Sequence, residues 1–156
     1  MMIQGKTYWN RTVGEPHENK FAKSKQWSFD LSIDEDTEKK LLAKGMRKTY
    51  IRNKDDERGN FLSFNRDAIK KDGSAGKPYE IVDDQGLPWD QSKLIGNGSV
   101  LNCIITMNER EYNGSKFLKP SCVKFQVYDL VTYEAKGTFP VKQAEAVDPT
   151  NSAETW

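Results

Sequence analysis

At alternate positions between Lys48 and Lys54 stand Lys48, Tyr50, Arg52 and Lys54, with Thr49, Ile51 and Asn53 between them. In an extended strand the first set shares one face and the second set the other. A ring on which a base can stack, flanked by cations that pair with phosphates, is how proteins hold single-stranded nucleic acid without reading its sequence. A solvated strand face is the plainer explanation of such charge, but a central tyrosine among cations favours the binding reading.

The next string, RGNFLSFNR, adds Arg58, Phe61, Phe64 and Arg66. Phe61 and Phe64 are three apart and point to opposite faces of a regular strand. Phe64 shares parity with Leu62 and is assigned to the core, which leaves Phe61 as the stacking candidate. From 47 to 71 there are eight basic residues (Arg47, Lys48, Arg52, Lys54, Arg58, Arg66, Lys70, Lys71) against four acidic ones, a net +4. Between Asn108 and Lys119, read as a polar loop, lie Arg110, Tyr112, Lys116, Phe117 and Lys119. Near the N-terminus, Tyr8, Trp9 and Arg11 precede a loop with Lys20, Lys23 and Lys25. Trp9 reads as packing and, with Trp89, is held in reserve as a platform.

Enzymatic chemistry finds little support. His17 is the sole histidine, and no Cys or second His stands at metal-ligand spacing, so neither a metal nor another cofactor is expected. Asp55, Asp56 and Glu57 are adjacent in a turn, where carboxylates stay in water. IGNGS lacks the following Lys and helix of a phosphate-binding loop. One rival is a magnesium-dependent nuclease using scattered carboxylates such as Asp30 and Asp67.

The elements that must position these groups are mostly strands. WSFDLSI alternates from Trp27 to Ile33, with Trp27, Phe29, Leu31 and Ile33 on one face. A short helix follows, with Asp34 as N-cap, acidic residues in its first turn, lysines later and Gly45 as its stop; Leu41 and Leu42 face inward. RKTYIRNK, FLSFNRD and YEIVDDQG read as a β-meander closed by turn residues. SVLNCIITM and a last strand from Cys122 to Tyr133 complete the set. Five or more short strands, one helix and glycine at the corners indicate a mainly β protein, a small Greek-key OB-type barrel. The expected division is an OB domain over 1–136 and a flexible, weakly acidic tail over 137–156.

Three strings carry a family resemblance: QWSFDLSID leading into a helix, YEIVDDQG, and LIGNGSVLNCIITMN followed by CVKFQVYDLVTYE. In this order they resemble the single-stranded-DNA-binding proteins of podovirus-like bacteriophages, in which an I-G-x-G-S turn precedes a long strand. Ile95, Gly96, Gly98 and Ser99 stand in that pattern, and the resemblance covers Trp27 to Tyr133. It implies an OB barrel that coats single-stranded DNA and helps strands anneal. It also implies an acidic tail whose terminal aromatic docks replication proteins, a place taken here by Trp156. The departure is the tail's charge: only Glu145, Asp148 and Glu154 are acidic there.

Composition by itself fits a small globular domain, and the three carboxylates at its end read first as a mildly polar, disordered tail. Charged residues are 30% and hydrophobic ones 36% of 156 residues, enough for a small core. Removing the three tail carboxylates turns the net charge of +1 into +4 for the body. Cys103 and Cys122 lie in apolar runs, as buried thiols do. No apolar run approaches ~18 residues and no signal peptide is seen, so a cytoplasmic location is expected, that of the host cell if the chain is phage-encoded.

The expected function is sequence-tolerant binding and protection of single-stranded DNA during phage replication and recombination, with no chemical step. Lys48, Arg52, Lys54, Arg66, Arg110, Lys116 and Lys119 would pair with phosphates, and Tyr50, Phe61 and Tyr112 would stack on bases. The alternative is a β-barrel protein-interaction or inhibitor module that ignores nucleic acid.

Overall fold

Alternation in the string around Trp27 does what strand parity requires. In the computed structural model, which describes residues 1–18 and 24–132, strand β2 (Gln26–Ser32) buries Trp27, Phe29 and Leu31 and leaves Ser28, Asp30 and Ser32 half-buried on its outer face. It lies between β1 (Met2–Arg11) and β3 (Phe61–Asp67), with Phe29 opposite Phe64 and Leu31 opposite Leu62. Both pairs reach the core, where Phe29 also packs on Tyr79 and Phe125 with ring centroids 5.3 and 5.1 Å away.

Helix α1 (Glu35–Lys44) starts where Asp34 accepts the Thr37 N–H at 2.8 Å and stops at Gly45, which adopts φ 110°. These hydrogen bonds hold the Asp34 carboxyl below its ordinary range. Leu41 is buried and Leu42 packs against the core.

Two long strands, β5 (Val100–Tyr112) and β6 (Ser115–Asp129), form an antiparallel hairpin, while the short β4 (Glu80–Val82) pairs parallel to β6. The sheet order is β3-β2-β1-β5-β6-β4, a mainly β, OB-type architecture whose edges β3 and β4 are not paired to each other. Arg66 spans the open side. From β3 its guanidinium donates to the carbonyls of Cys122 (3.1 Å), Val123 (2.9 Å) and Pro78 (3.3 Å) while lying over the Tyr79 ring.

Three expectations need correction. Lys48 to Lys54 is not a strand: Lys48–Tyr50 form a 3-10 turn, and only Arg52 pairs, with Phe61. The consecutive residues Tyr50 and Ile51 both pack on the core, which a strand alternating between faces cannot accommodate. The runs after α1 are not a meander, because β4 crosses to pair with β6 and the one strand that β3 pairs with among the described residues is β2. Asn108 to Lys119 is not a loop but the outer end of the β5–β6 hairpin. Its tip is Asn113-Gly114, both at positive φ (51° and 82°), the two-residue turn whose twist matches paired strands.

The I-G-x-G-S turn has a structural task. Gly96 and Ser99 bond to Val131 beyond β6, and the Gly98 N–H donates to Thr7 on β1. A side chain at Gly96 would bring its Cβ to 2.4 Å from the Val131 carbonyl oxygen. Both cysteines are buried free thiols.

Candidate nucleic-acid interface

The 3-10 turn and the hairpin tip meet because the helix exit is stitched to β6. The Leu118 N–H donates to the Gly45 carbonyl at 3.0 Å, and the Arg47 N–H donates to the Leu118 carbonyl at 3.3 Å. This places Arg47 over two rings, with its guanidinium carbon 4.5 Å from the Phe117 centroid and 5.7 Å from that of Tyr112. Tyr50 lies beside Phe117, centroids 6.2 Å apart. Tyr112 is 60% exposed, whereas Tyr50 is half-buried and offers less of its ring to a ligand.

Lys48, Arg52, Lys54, Arg110, Lys116 and Lys119 are all exposed; Arg110 and Lys119 share the hairpin face of Tyr112 and Phe117, whereas Lys116 lies on the other face with Glu111. Among the described residues both ion pairs belong to Arg58, so none of these cations is neutralised by a carboxylate at close range. Arg110 does donate to the Glu109 carbonyl. On the hairpin, Arg110 stands opposite Phe117 and Lys116 opposite Glu111. Fixed cations beside an exposed ring can receive a phosphate and a base together.

A second group lies on the outer face of β1, β2 and β3. Tyr8, Asp30 and Ser63 are neighbours across these strands, and Ser63 donates to Asp30 at 2.7 Å. Arg58 reaches onto this face, paired with Asp30 at 2.8 Å and Asp56 at 2.5 Å, its guanidinium carbon 4.1 Å from the Trp9 ring centre and 4.0 Å from that of Phe61. Hydrogen bonds from Arg58 lower the Asp56 carboxyl pKa, and the same bonds raise that of Arg58.

These contacts change two assignments. Phe61 is 1% exposed beneath Arg58, so it supports that guanidinium and is closed to a base. Arg66 bridges β3 to the Cys122 and Val123 carbonyls of β6 and to that of Pro78 ahead of β4, a structural task that leaves few of its five N–H groups for a phosphate. Trp9, which reads as packing with a reserve role as a platform, is 46% exposed. Arg47 and Phe117 gain their place only from the helix-to-hairpin junction. The one available signal was the Asn-Gly pair, which marks a hairpin and hence a rigid ribbon at 108–119.

Asp30 and Asp67, the carboxylates of the nuclease alternative, are separately engaged, Asp30 by Arg58 and Ser63 and Asp67 by Gln26 at 2.6 Å. Among the described residues no three His, Cys, Asp or Glu side chains gather to hold a metal ion, and no helix is long and apolar enough to cross a membrane. Lys20, Lys23, Trp156 and the tail over 137–156 lie outside the described residues.

No family model and no curated protein matches this sequence. Solved structures do match. Gp2.5, a single-stranded-DNA-binding protein encoded by bacteriophage T7, superposes with a TM-score of 0.61 at 14% identity, over 90% of this chain and 97% of its own. The single-stranded-DNA-binding protein of bacteriophage Enc34, in complex with single-stranded DNA, gives 0.57 at 10% identity over 87% of each chain. Its C-terminally truncated form gives 0.55 at 10% identity, over 81% of this chain and 83% of its own. The chain thus has the OB-type fold of bacteriophage single-stranded-DNA-binding proteins.

Proposed function

We propose that this protein binds single-stranded DNA without strong sequence preference and protects it during phage DNA replication and recombination, with no chemical step of its own. The observation that carries the reading is the cluster in which Arg47 is held over Tyr112 and Phe117, with Arg110 and Lys119 on the same hairpin face and none of the three cations in an ion pair among the described residues. Its appearance on a fold shared with a protein solved in complex with single-stranded DNA supports the same reading. Phosphates pair with Arg47, Lys48, Arg52, Lys54, Arg110, Lys116 and Lys119, and bases stack on Tyr112 and the accessible part of Tyr50. The DNA-binding unit spans 1–136, and 137–156 is a tail whose Trp156 docks replication proteins.

A fluorescence-anisotropy titration with labelled oligo-dT, duplex DNA and single-stranded RNA across a salt series tests this. Tight oligo-dT binding that weakens with salt, and much poorer duplex binding, is expected. Indifference to every nucleic acid refutes it and favours a protein-binding module. Deleting 137–156 is expected to leave oligo-dT binding intact and abolish capture of a replication protein; loss of DNA binding refutes that division.

A further inference from the structure

Trp9 occupies an unusual position. The pairing of β1 with β2 loses its regular register between Tyr8 and Arg11, and Trp9 sits in the left-handed region at φ 47°. A bulky L-residue is rarely held there, and a bulge re-aims the side chain it carries. The conformation is braced: Asn97 Oδ1 accepts the Trp9 N–H at 2.8 Å, and Asn10 is tied to Thr7 and Thr12 by its side-chain amide. Trp27 on the neighbouring strand shows the contrast, being buried with its indole N–H on the Gly14 carbonyl.

The exposed Trp9 ring carries the Arg58 guanidinium above it at 4.1 Å. Arg58 is held in place by Asp30 and Asp56, so it stiffens the indole and brings little net charge of its own. Trp9 also borders an open cavity of about 460 Å³, within the range of small-molecule sites. The other walls include Arg11, His17, Leu94 and Asn97. Among the described residues Arg11 is in no ion pair and Asn97 Nδ2 donates to nothing. A chain of contacts also runs from Trp9 toward the 3-10 turn: Arg58 covers Trp9, Phe61 supports Arg58, and Phe61 and Arg52 exchange backbone hydrogen bonds at 2.9 Å.

We propose that this cavity is a nucleobase subsite, in which one unstacked base of single-stranded DNA lies against the Trp9 indole, its phosphate pairs with Arg11, and Asn97 Nδ2 donates to an acceptor on the base edge. The subsite rests on the single-strand-binding reading and extends its track from the hairpin cluster across the outer face of β1, β2 and β3. Every base has a π-face, so it accepts any of the four.

The test uses the full chain and oligo-dT carrying 5-iodouracil. Photocrosslinking is expected to label the tryptic peptide Thr7–Arg11. Trp9→Ala is expected to weaken oligo-dT binding about fivefold to 150-fold with an unchanged salt slope. Arg11→Gln should lower that slope by ~0.7. Trp9→Phe keeps a ring at the bulge and most of the affinity, and a circular-dichroism melt of each variant separates lost contact from lost fold. If Trp9→Ala does not fold, crosslinking decides. Full affinity in folded Trp9→Ala, or crosslinks confined to the hairpin, overturns the subsite while Tyr112→Ala still loses affinity. A wild-type chain that does not bind oligo-dT overturns the broader reading and the subsite together.

Discussion

Replacing Tyr112 and Arg47, singly and together, probes the cluster most directly. Tyr112 is 60% exposed near the tip of a hairpin, so Tyr112→Ala should leave stability within about 0.5 kcal/mol. Loss of one stacked base should cost about 1–3 kcal/mol of oligo-dT affinity. Because no charge is removed, the dependence on salt should not change. Arg47→Gln removes a cation in no ion pair among the described residues, and should lower the slope of log K against log salt by ~0.7 for one lost phosphate contact. Over a fourfold change in salt that alters the affinity ratio by about 2.6-fold, which anisotropy titrations resolve. The guanidinium also sits 5.7 Å from the Tyr112 ring centre, so the two losses should fall short of additivity by about 0.5–1 kcal/mol in a double-mutant cycle. Additive losses would show that Arg47 and Tyr112 act apart. An Arg47→Gln protein with the wild-type slope would remove Arg47 from the phosphate track.

Three further outcomes follow from the structure. Arg66→Met should cost about 2 kcal/mol of stability by breaking the bridge to the Cys122, Val123 and Pro78 carbonyls, seen as a melting temperature lower by about 4–8 °C, with little change in salt slope. A stable variant with a flattened slope would return Arg66 to the phosphates. Gly96→Ala should destabilise by about 1–3 kcal/mol in chemical denaturation, because its Cβ meets the Val131 carbonyl oxygen, and unchanged stability would show that this turn can open without cost. The Asp56 carboxyl, depressed by hydrogen bonds from Arg58, contributes stability that is present above the ordinary carboxylate pKa of ~3.9 and lost as pH falls through the depressed value. An NMR titration should place its midpoint below ~3.9 and return it there in Arg58→Gln; the same midpoint in both proteins would refute the pairing.

Local rules are legible in this sequence wherever one short segment contains the whole cause. The alternation of Trp27, Phe29 and Leu31 requires a strand with one buried face, and Asp34 and Gly45 bound a helix by capping its free backbone groups. The OB-type class and the cationic, aromatic character of 47–71 and 108–119 were readable in the same way. The position of those groups was not. Parity lined up Lys48, Tyr50, Arg52 and Lys54, but Tyr50 and Ile51 both turn to the core, and that depends on Met46 being drawn against Leu118, 72 positions further along the chain. Phe61 is buried and Trp9 exposed with Arg58 lying against both rings, held by Asp30 of β2. Residue types and their local periodicity determined the elements and the chemistry available to this protein. Which rings stay open to a ligand and which cations stay free of partners was decided by contacts between distant segments, since burial and ion pairing depend on neighbours that only the folded chain brings together.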